Sequence, residues 1–396
     1  MRCLVAALVL VAPTVGAFAD TGSALAGQAS SKAQQEEAKH QKDLDSDVAL
    51  GKEYSAEVEK ELKLSKDADM DARLQRVAAP LAEIARNSKV EVLWGDPRLN
   101  PFHYSFKLIK GDDVNAFSIP GGYIYVYEGL MKFVESDDEL AAVLAHEIAH
   151  AAFRHMATMK KKGSGWQLAQ LPLLIVAALS KSSDAMAGLM AAQLLNQSYQ
   201  SGWSVEAETA SDYGSLQYLQ KSRFNPVGAL TFMERLAHKD SLGPRVEWGI
   251  FQTHPITEQR ARFMMAKLKE SGVEIRRSQV STTYSARATP RPDSSVELWF
   301  GQSLIHTFRG GEAASRAQEA SVRLNNFMDS VPSMGDAYVQ DTYAVRGGDR
   351  VLFLVEDDDV KGEGVTPGEE AKLSLSRLRK VVYDLGNRLF LITRGG

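Results

Sequence analysis

The sequence predicts an α+β fold in two parts, a mostly helical first part carrying a small sheet and then a smaller α+β module of about 100 residues. Three observations predict it. Helix-period segments dominate as far as residue 270, strand-like apolar alternation interrupts them only between 90 and 130, and strand and helix patterns alternate beyond a polar stretch with two prolines at 276–294. A chain of 396 residues has room for two or three domains, each with its own core. With 46 basic against 50 acidic residues and a net charge of −4, it offers no electrostatic grip on nucleic acid, and no nucleic-acid partner is expected.

The elements follow in chain order. MRCLVAALVLVAPTVGAFAD combines Arg2, an apolar run from Cys3 to Ala12 and the small-residue triplet Ala17-Phe18-Ala19, which predicts a signal peptide over 1–19, cleaved near Ala19, and a periplasmic or secreted product. Its removal takes away the single cysteine, so no disulfide is expected. Residues 20–34, rich in Gly, Ser, Ala and Gln, read as a mobile leader. The first domain is expected over 35–275. Glu36 to Leu64 and residues 71–87 have amphipathic helical spacing, whereas VEVLW at 90–94, HYSFKLI at 103–109 and NAFSIPGGYIYVYEGL at 115–130 read as strands. Ser136-Asp137-Asp138-Glu139 is a capping box ahead of a helix over Leu140 to Met156. Trp166 to Leu195 is the most apolar stretch after the N-terminus, but its dense part, Leu171 to Leu179, is too short to span a bilayer. It reads as a core or lid helix, with a peripheral membrane contact as the alternative. Helices are expected again over Val205 to Leu219, Pro226 to His238 and Thr257 to Glu270, followed by the polar linker at 276–294.

Residues 295–396 form the expected accessory domain, with strands in Val296 to Phe308 and Tyr338 to Val355 and helices at 312–328 and 369–385. Its acidic run, Glu356 to Asp359, fails as a calcium loop because Lys361 and Gly368 fall on ligand positions, and it reads as a solvated turn. His306, in an apolar run, reads as a packed side chain.

The chemistry is carried by His146-Glu147-Ile148-Ala149-His150, an H-E-x-x-H pattern on the helix that begins after Ser136. At about 100° per residue, His150 lies about 40° and Glu147 about 100° from His146, so all three can face one cavity. Two imidazoles can hold one Zn²⁺ per chain, a metal that lowers the pKa of water it binds to ~7, and Glu147 is then a general base rather than a ligand. A third ligand is required. The extended pattern with Gly and a third His fails, because those places hold Phe153 and Met156. His155 misses by one residue and, on a continuing helix, would point about 180° away, so it reads as a packing or capping residue. Downstream, VEAETASDYGSLQYL offers Glu206, Glu208 and Asp212. Glu208 and Asp212 share a face as i and i+4, whereas Glu206 lies about 200° around from Glu208. Glu208 is therefore the expected ligand, with Asp212 orienting a ligand imidazole through its distal N–H.

On these residues the chain resembles the M48 family of zinc metallopeptidases, the Ste24/HtpX-like gluzincins. NAFSIPGGYIYVYEGL, DELAAVLAHEIAHAAFRH, EAETASDYGSLQYL, FNPVGAL and THPITEQR occur in the family's order, across roughly residues 45–270. The resemblance implies a mostly helical zincin-type domain, an exported endopeptidase of the soluble periplasmic branch, envelope proteins or peptides as substrates and Glu208 as the third ligand. The chain departs from the family at Val205 and Ser211, where Arg and Ala are common. A peptide substrate could add as a strand along Asn115, Ala116 and Phe117, with Gly121 and Gly122 allowing a tight turn and close approach. His254 and Arg260 form a polar pair leading into a helix; His254 could stabilise an oxyanion or fill the open metal position, and Arg260 would support the site from behind. The competing reading is a metal-binding chaperone or scaffold with little turnover. Nothing in the pattern specifies an oligomeric state.

Overall fold

The computed structural model describes residues 21–162, 203–242 and 258–393. The segment expected to be a signal peptide and the apolar stretch at 166–195 lie outside them. Contacts divide the chain into two units, Met1–Ser46 and Asp47–Gly396. Within the described residues the first unit is the leading part of helix α1 (Thr21–Glu61). Residues 21–34, expected to be a mobile leader, are thus helical; Ala, Gln and Lys are good helix formers, and no proline interrupts them.

The second unit holds three small sheets and two main cores. Helix α2 (Ala68–Asn87) opens on Asp67, whose carboxylate accepts from the Met70 amide at 2.9 Å. Strands β1 (Ser105–Ile109), β2 (Ala116–Ile119) and β3 (Tyr123–Tyr127) form a sheet in the order β1-β3-β2, with β1 parallel and β2 antiparallel to β3. The strand period of two splits β3: Ile124 and Val126 enter the large core, while Tyr125 and Tyr127 pack on the other face against Tyr54 and Val58 of α1 and Leu62 just beyond its end.

A short helix α3 (Glu128–Phe133) leads to α4 (Asp137–Ala152), where the Ser136 hydroxyl accepts from the Glu139 amide at 3.1 Å as the capping box predicts. Around α4 pack α2, α6 (Trp203–Gln220) and α7 (Val227–Leu242), with α8 (Glu258–Glu270) on α6 and α7. Helix α5 (His155–Lys162) follows α4 after a break. VEVLW is not a strand. The side chain of Gln217 on α6 takes the pairing that a neighbouring strand would, accepting from the Glu91 amide and donating to its carbonyl, both at 2.9 Å.

The stretch expected to be a linker is built into the fold. Arg277 is buried against Glu234 with a shortest contact of 2.7 Å, Ser278 bonds Asp329, and Glu135 accepts from Ser281 and Thr283. Strand β4 (Ala286–Pro290) then pairs with β5 (Val296–Phe300), which pairs with β6 (Ser303–Phe308). Polar composition concealed this, because its polar side chains are used as specific partners. A third sheet of β7 (Ala337–Gln340), β8 (Ala344–Gly347) and β9 (Arg350–Leu354), with helices α9 (Ala313–Asp329) and α10 (Pro367–Thr393), closes a second core from Tyr284 to Leu385. Among the described residues no helix is long and apolar enough to cross a membrane.

Candidate active site

Helix α4 presents His146, Glu147 and His150 from a wall of Ala, Leu, Val and Ile that seats it among its neighbours. Opposite, α6 presents Glu208 and Asp212. Nε2 of His146 and Nε2 of His150 lie 3.0 Å apart, and each lies 3.3 Å from one oxygen of Glu208. Among the described residues these three form the one group of ligand-type side chains that converges on a single point, with their donor atoms within 4.8 Å of one another. Four ligands at 2.0–2.1 Å around a tetrahedral Zn²⁺ stand about 3.3 Å from each other, so the observed spacing suits that ion.

Charge makes the same point. Glu147, Glu208 and Asp212 are buried carboxylates, and Arg260 on α8 is the buried guanidinium among them. It donates to Asp212 through Nε at 2.7 Å and Nη2 at 2.8 Å and reaches Glu208 through Nη1 at 3.0 Å. Among the described residues, three carboxylates face one guanidinium, an excess of acidic groups that a bound cation would offset. The surplus shows on His146. Burial alone would lower its pKa, but the bond from Nδ1 to Asp212 at 3.1 Å and the nearby Glu208 outweigh burial and push it up to about 10. The donor set therefore fits Zn²⁺.

The end of α4 holds a residue whose role sequence reasoning missed. The helix stops at Ala152 because Arg154 adopts a left-handed conformation, φ 52°, and is clamped there by Asp47 at 2.6 Å and Asp96 at 3.0 Å. Asp96 bonds back to the helix end, its amide donating to the Phe153 carbonyl at 2.7 Å. The chain turns, and His155 swings toward the site instead of away from it. Its Nδ1 lies 3.0 Å from Nδ1 of His150 and its Nε2 lies 2.9 Å from the Trp94 carbonyl. Burial pushes its pKa down to about 4.

The remaining predicted residues divide. His254 lies outside the described residues. Gly121 and Gly122 form the turn between β2 and β3 at φ 79° and 91°; a Cβ on Gly121 would stand 2.7 Å from Val48 Cα, and one on Gly122 3.0 Å from the His103 carbonyl. The chain itself fills the space that a Cβ would need at both positions. Ala116 sends its side chain into the large core and Phe117 into the smaller cluster against α1, where it stacks on Tyr125. Among the described residues β2 pairs only with β3, and it packs against α4. Just before it, Asn115 is fully buried, and neither atom of its carboxamide has a hydrogen-bond partner among the described residues. A pocket adjoins His146 and Glu147, walled by Val143, Phe232, Met233, Leu236 and Met264. In the sequence these wall residues are visible only as the apolar stripes of three helices.

Comparison with known proteins places this geometry. The chain is 32% identical over 167 residues to the beta-barrel assembly-enhancing protease of Escherichia coli (strain K12), covering 40% of this chain and 33% of that protein. It is 31% identical over 177 residues to the mitochondrial metalloendopeptidase OMA1 of Schizosaccharomyces pombe, covering 44% of this chain and 50% of that protein. The metalloprotease LoiP of Escherichia coli (strain K12) is 29% identical over 175 residues, 43% of this chain and 65% of that protein. The matched region thus spans a third to a half of the length of the first two relatives. The model of peptidase family M48 matches residues 68–267, the stretch that contributes α4, α6, α7 and the carboxylates of the cluster, and the chain belongs to that family.

Proposed function

We propose that the chain is an exported zinc endopeptidase that acts on proteins or peptides of the cell envelope in quality control. The reading is carried by one observation, the convergence of His146, His150 and Glu208 with Glu147 beside them and Asp212 and Arg260 behind. The export pattern before Asp20 supports an envelope location, as does similarity to a protein named for enhancing β-barrel assembly. Zinc, held by those three ligands, would supply Lewis-acid activation of water and of the scissile carbonyl. Glu147 takes the proton of the attacking water and delivers it to the departing amine. Asp212 fixes the ring of His146, and Arg260 holds Asp212 and Glu208 in register. The free edge of β2 aligns the substrate backbone, with the carboxamide of Asn115 offering a donor and an acceptor to it.

Removing metal with 1,10-phenanthroline is expected to abolish cleavage of an unfolded protein by the full chain, and one equivalent of zinc to restore it. Cleavage that survives complete metal removal would defeat this reading, and a wild-type chain that binds zinc without turnover would favour the scaffold instead.

The pocket beside Glu147 sets specificity. Its apolar wall suits an apolar side chain next to the scissile bond. Narrowing it with Leu236→Trp should lower kcat/KM for peptides with Leu or Phe there, relative to Ala, by about 10- to 200-fold, the range that such pockets discriminate. Zinc content should be unchanged. Equal loss for all peptides, read by competition between them, would remove the pocket from substrate selection.

A further inference from the structure

We propose that His155 is a positioning residue for the metal: it fixes the tautomer and ring orientation of His150 so that Nε2 of His150 presents a lone pair at the cluster. This rests on the metal-site reading above, and goes beyond it in assigning a role to a residue that is not itself a ligand.

The assignment starts at the Trp94 carbonyl, which can only accept. His155 Nε2, at 2.9 Å, must therefore carry a hydrogen and donate. In a neutral imidazole the other nitrogen is then an acceptor. That nitrogen, Nδ1 of His155, faces Nδ1 of His150 at 3.0 Å, so the hydrogen between them belongs to His150. With Nδ1 of His150 protonated, its Nε2 carries the lone pair, and Nε2 is the atom that meets His146 and Glu208. The Ser211 hydroxyl, 3.3 Å from Nδ1 of His155, can donate to the same acceptor and agrees with its assignment. One backbone carbonyl thus dictates, through two rings, which nitrogen a metal would find.

The two ligand histidines are supported differently. His146 leans on a carboxylate, Asp212 at 3.1 Å, whereas His150 leans on a neutral ring. A carboxylate at position 155 could also orient His150, but it would add another negative charge to a buried cluster that already carries a surplus. The fold invests heavily in placing the neutral ring. Left-handed Arg154 breaks the helix, Asp47 and Asp96 clamp it, and a Cβ at Gly95 would stand 2.9 Å from the His155 ring.

The test compares wild type, His155→Leu and His155→Gln in the full chain, reading zinc affinity by chelator competition, the visible spectrum of the cobalt-substituted protein, and melting of the metal-free form. Leucine keeps apolar bulk and removes both hydrogen bonds. It should weaken zinc binding about 10- to 100-fold and alter the cobalt spectrum. Glutamine can accept from His150 and donate to Trp94 with one carboxamide, and should recover affinity to within a few-fold of wild type. Wild-type affinity and spectrum in His155→Leu would overturn the proposal, as would a folded glutamine variant as weak as leucine. If the leucine variant does not fold, the glutamine variant decides alone. A wild-type chain that binds no zinc would instead overturn the metal-site reading, and His155 with it.

Discussion

Glu147→Gln is expected to keep one zinc per chain and to lose peptide hydrolysis by about 10²- to 10⁴-fold, the range over which a positioned general base contributes. The side chain is buried, follows His146 on α4 and lines the pocket, yet it is not one of the three groups whose atoms converge. Glutamine keeps its shape and cannot take a proton. The substitution changes no volume, so the variant should melt close to wild type. That separates chemistry from folding. Zinc content by mass spectrometry, melting by calorimetry and turnover of an unfolded protein are the three readouts. Undiminished turnover would remove Glu147 from the mechanism, and loss of zinc together with turnover would make it a ligand.

The cluster was legible because it is written in helical period. His146 and His150 are i and i+4 on a helix that the structure shows to be continuous, and the same spacing singled out Glu208 with Asp212 over Glu206. His155 was not legible for the same reason read in reverse. Period says that it points away, but the period ends at Arg154, and it ends there because Asp47 and Asp96, distant in sequence, clamp that residue. The strand reading of VEVLW failed likewise, since its partner is the side chain of Gln217. Local pattern reports what a segment favours alone. Side-chain partners from elsewhere decide where an element stops, and the site depends on one such stop.

Polar partners matter equally in the C-terminal core. The acidic run expected to be a solvated turn sends Asp359 inward, and His306, a packed side chain as expected, meets it at 3.4 Å and Ser374 at 3.0 Å. A short 3₁₀ turn over Asp357–Val360 makes this possible, exposing Asp357 and Asp358 while burying Asp359. Arg316 donates to Asp359 at 2.6 Å, and the amides of Arg309 and Glu356 donate at 2.7 and 2.9 Å. The single carboxylate therefore ties β6, α9 and the loop after β9 together. We propose that residues 295–396 act as an accessory module that binds substrate or partner proteins, and this hub is where its independence can be tested.

Asp359→Asn is expected to destabilise the second core by an amount toward the lower end of the roughly 3–5 kcal/mol associated with breaking a buried ion pair. The lower end applies because Arg316 keeps a second partner in Glu356 at 3.1 Å and asparagine can still accept from an amide. The pH dependence has a definite sign. Burial alone would raise the pKa of Asp359, but His306, Arg316 and the two amides outweigh it and hold the carboxyl well below the ordinary range. A depressed carboxyl contributes its stability fully above its unfolded value of about 3.9 and loses it as pH falls toward the folded value. Wild type should therefore lose stability below about pH 4, more steeply than Asp359→Asn, and the gap between them should narrow as pH falls. Hydrogen exchange resolved along the chain measures where the loss falls. If residues 284–385 lose protection while those around α4 and α6 keep theirs, with zinc content intact, the accessory module unfolds as its own unit. Uniform loss from residue 47 onward would show that the contacts of Arg277, Ser278 and Glu135 weld both cores into one cooperative structure, and the module would then have to act as part of the catalytic body.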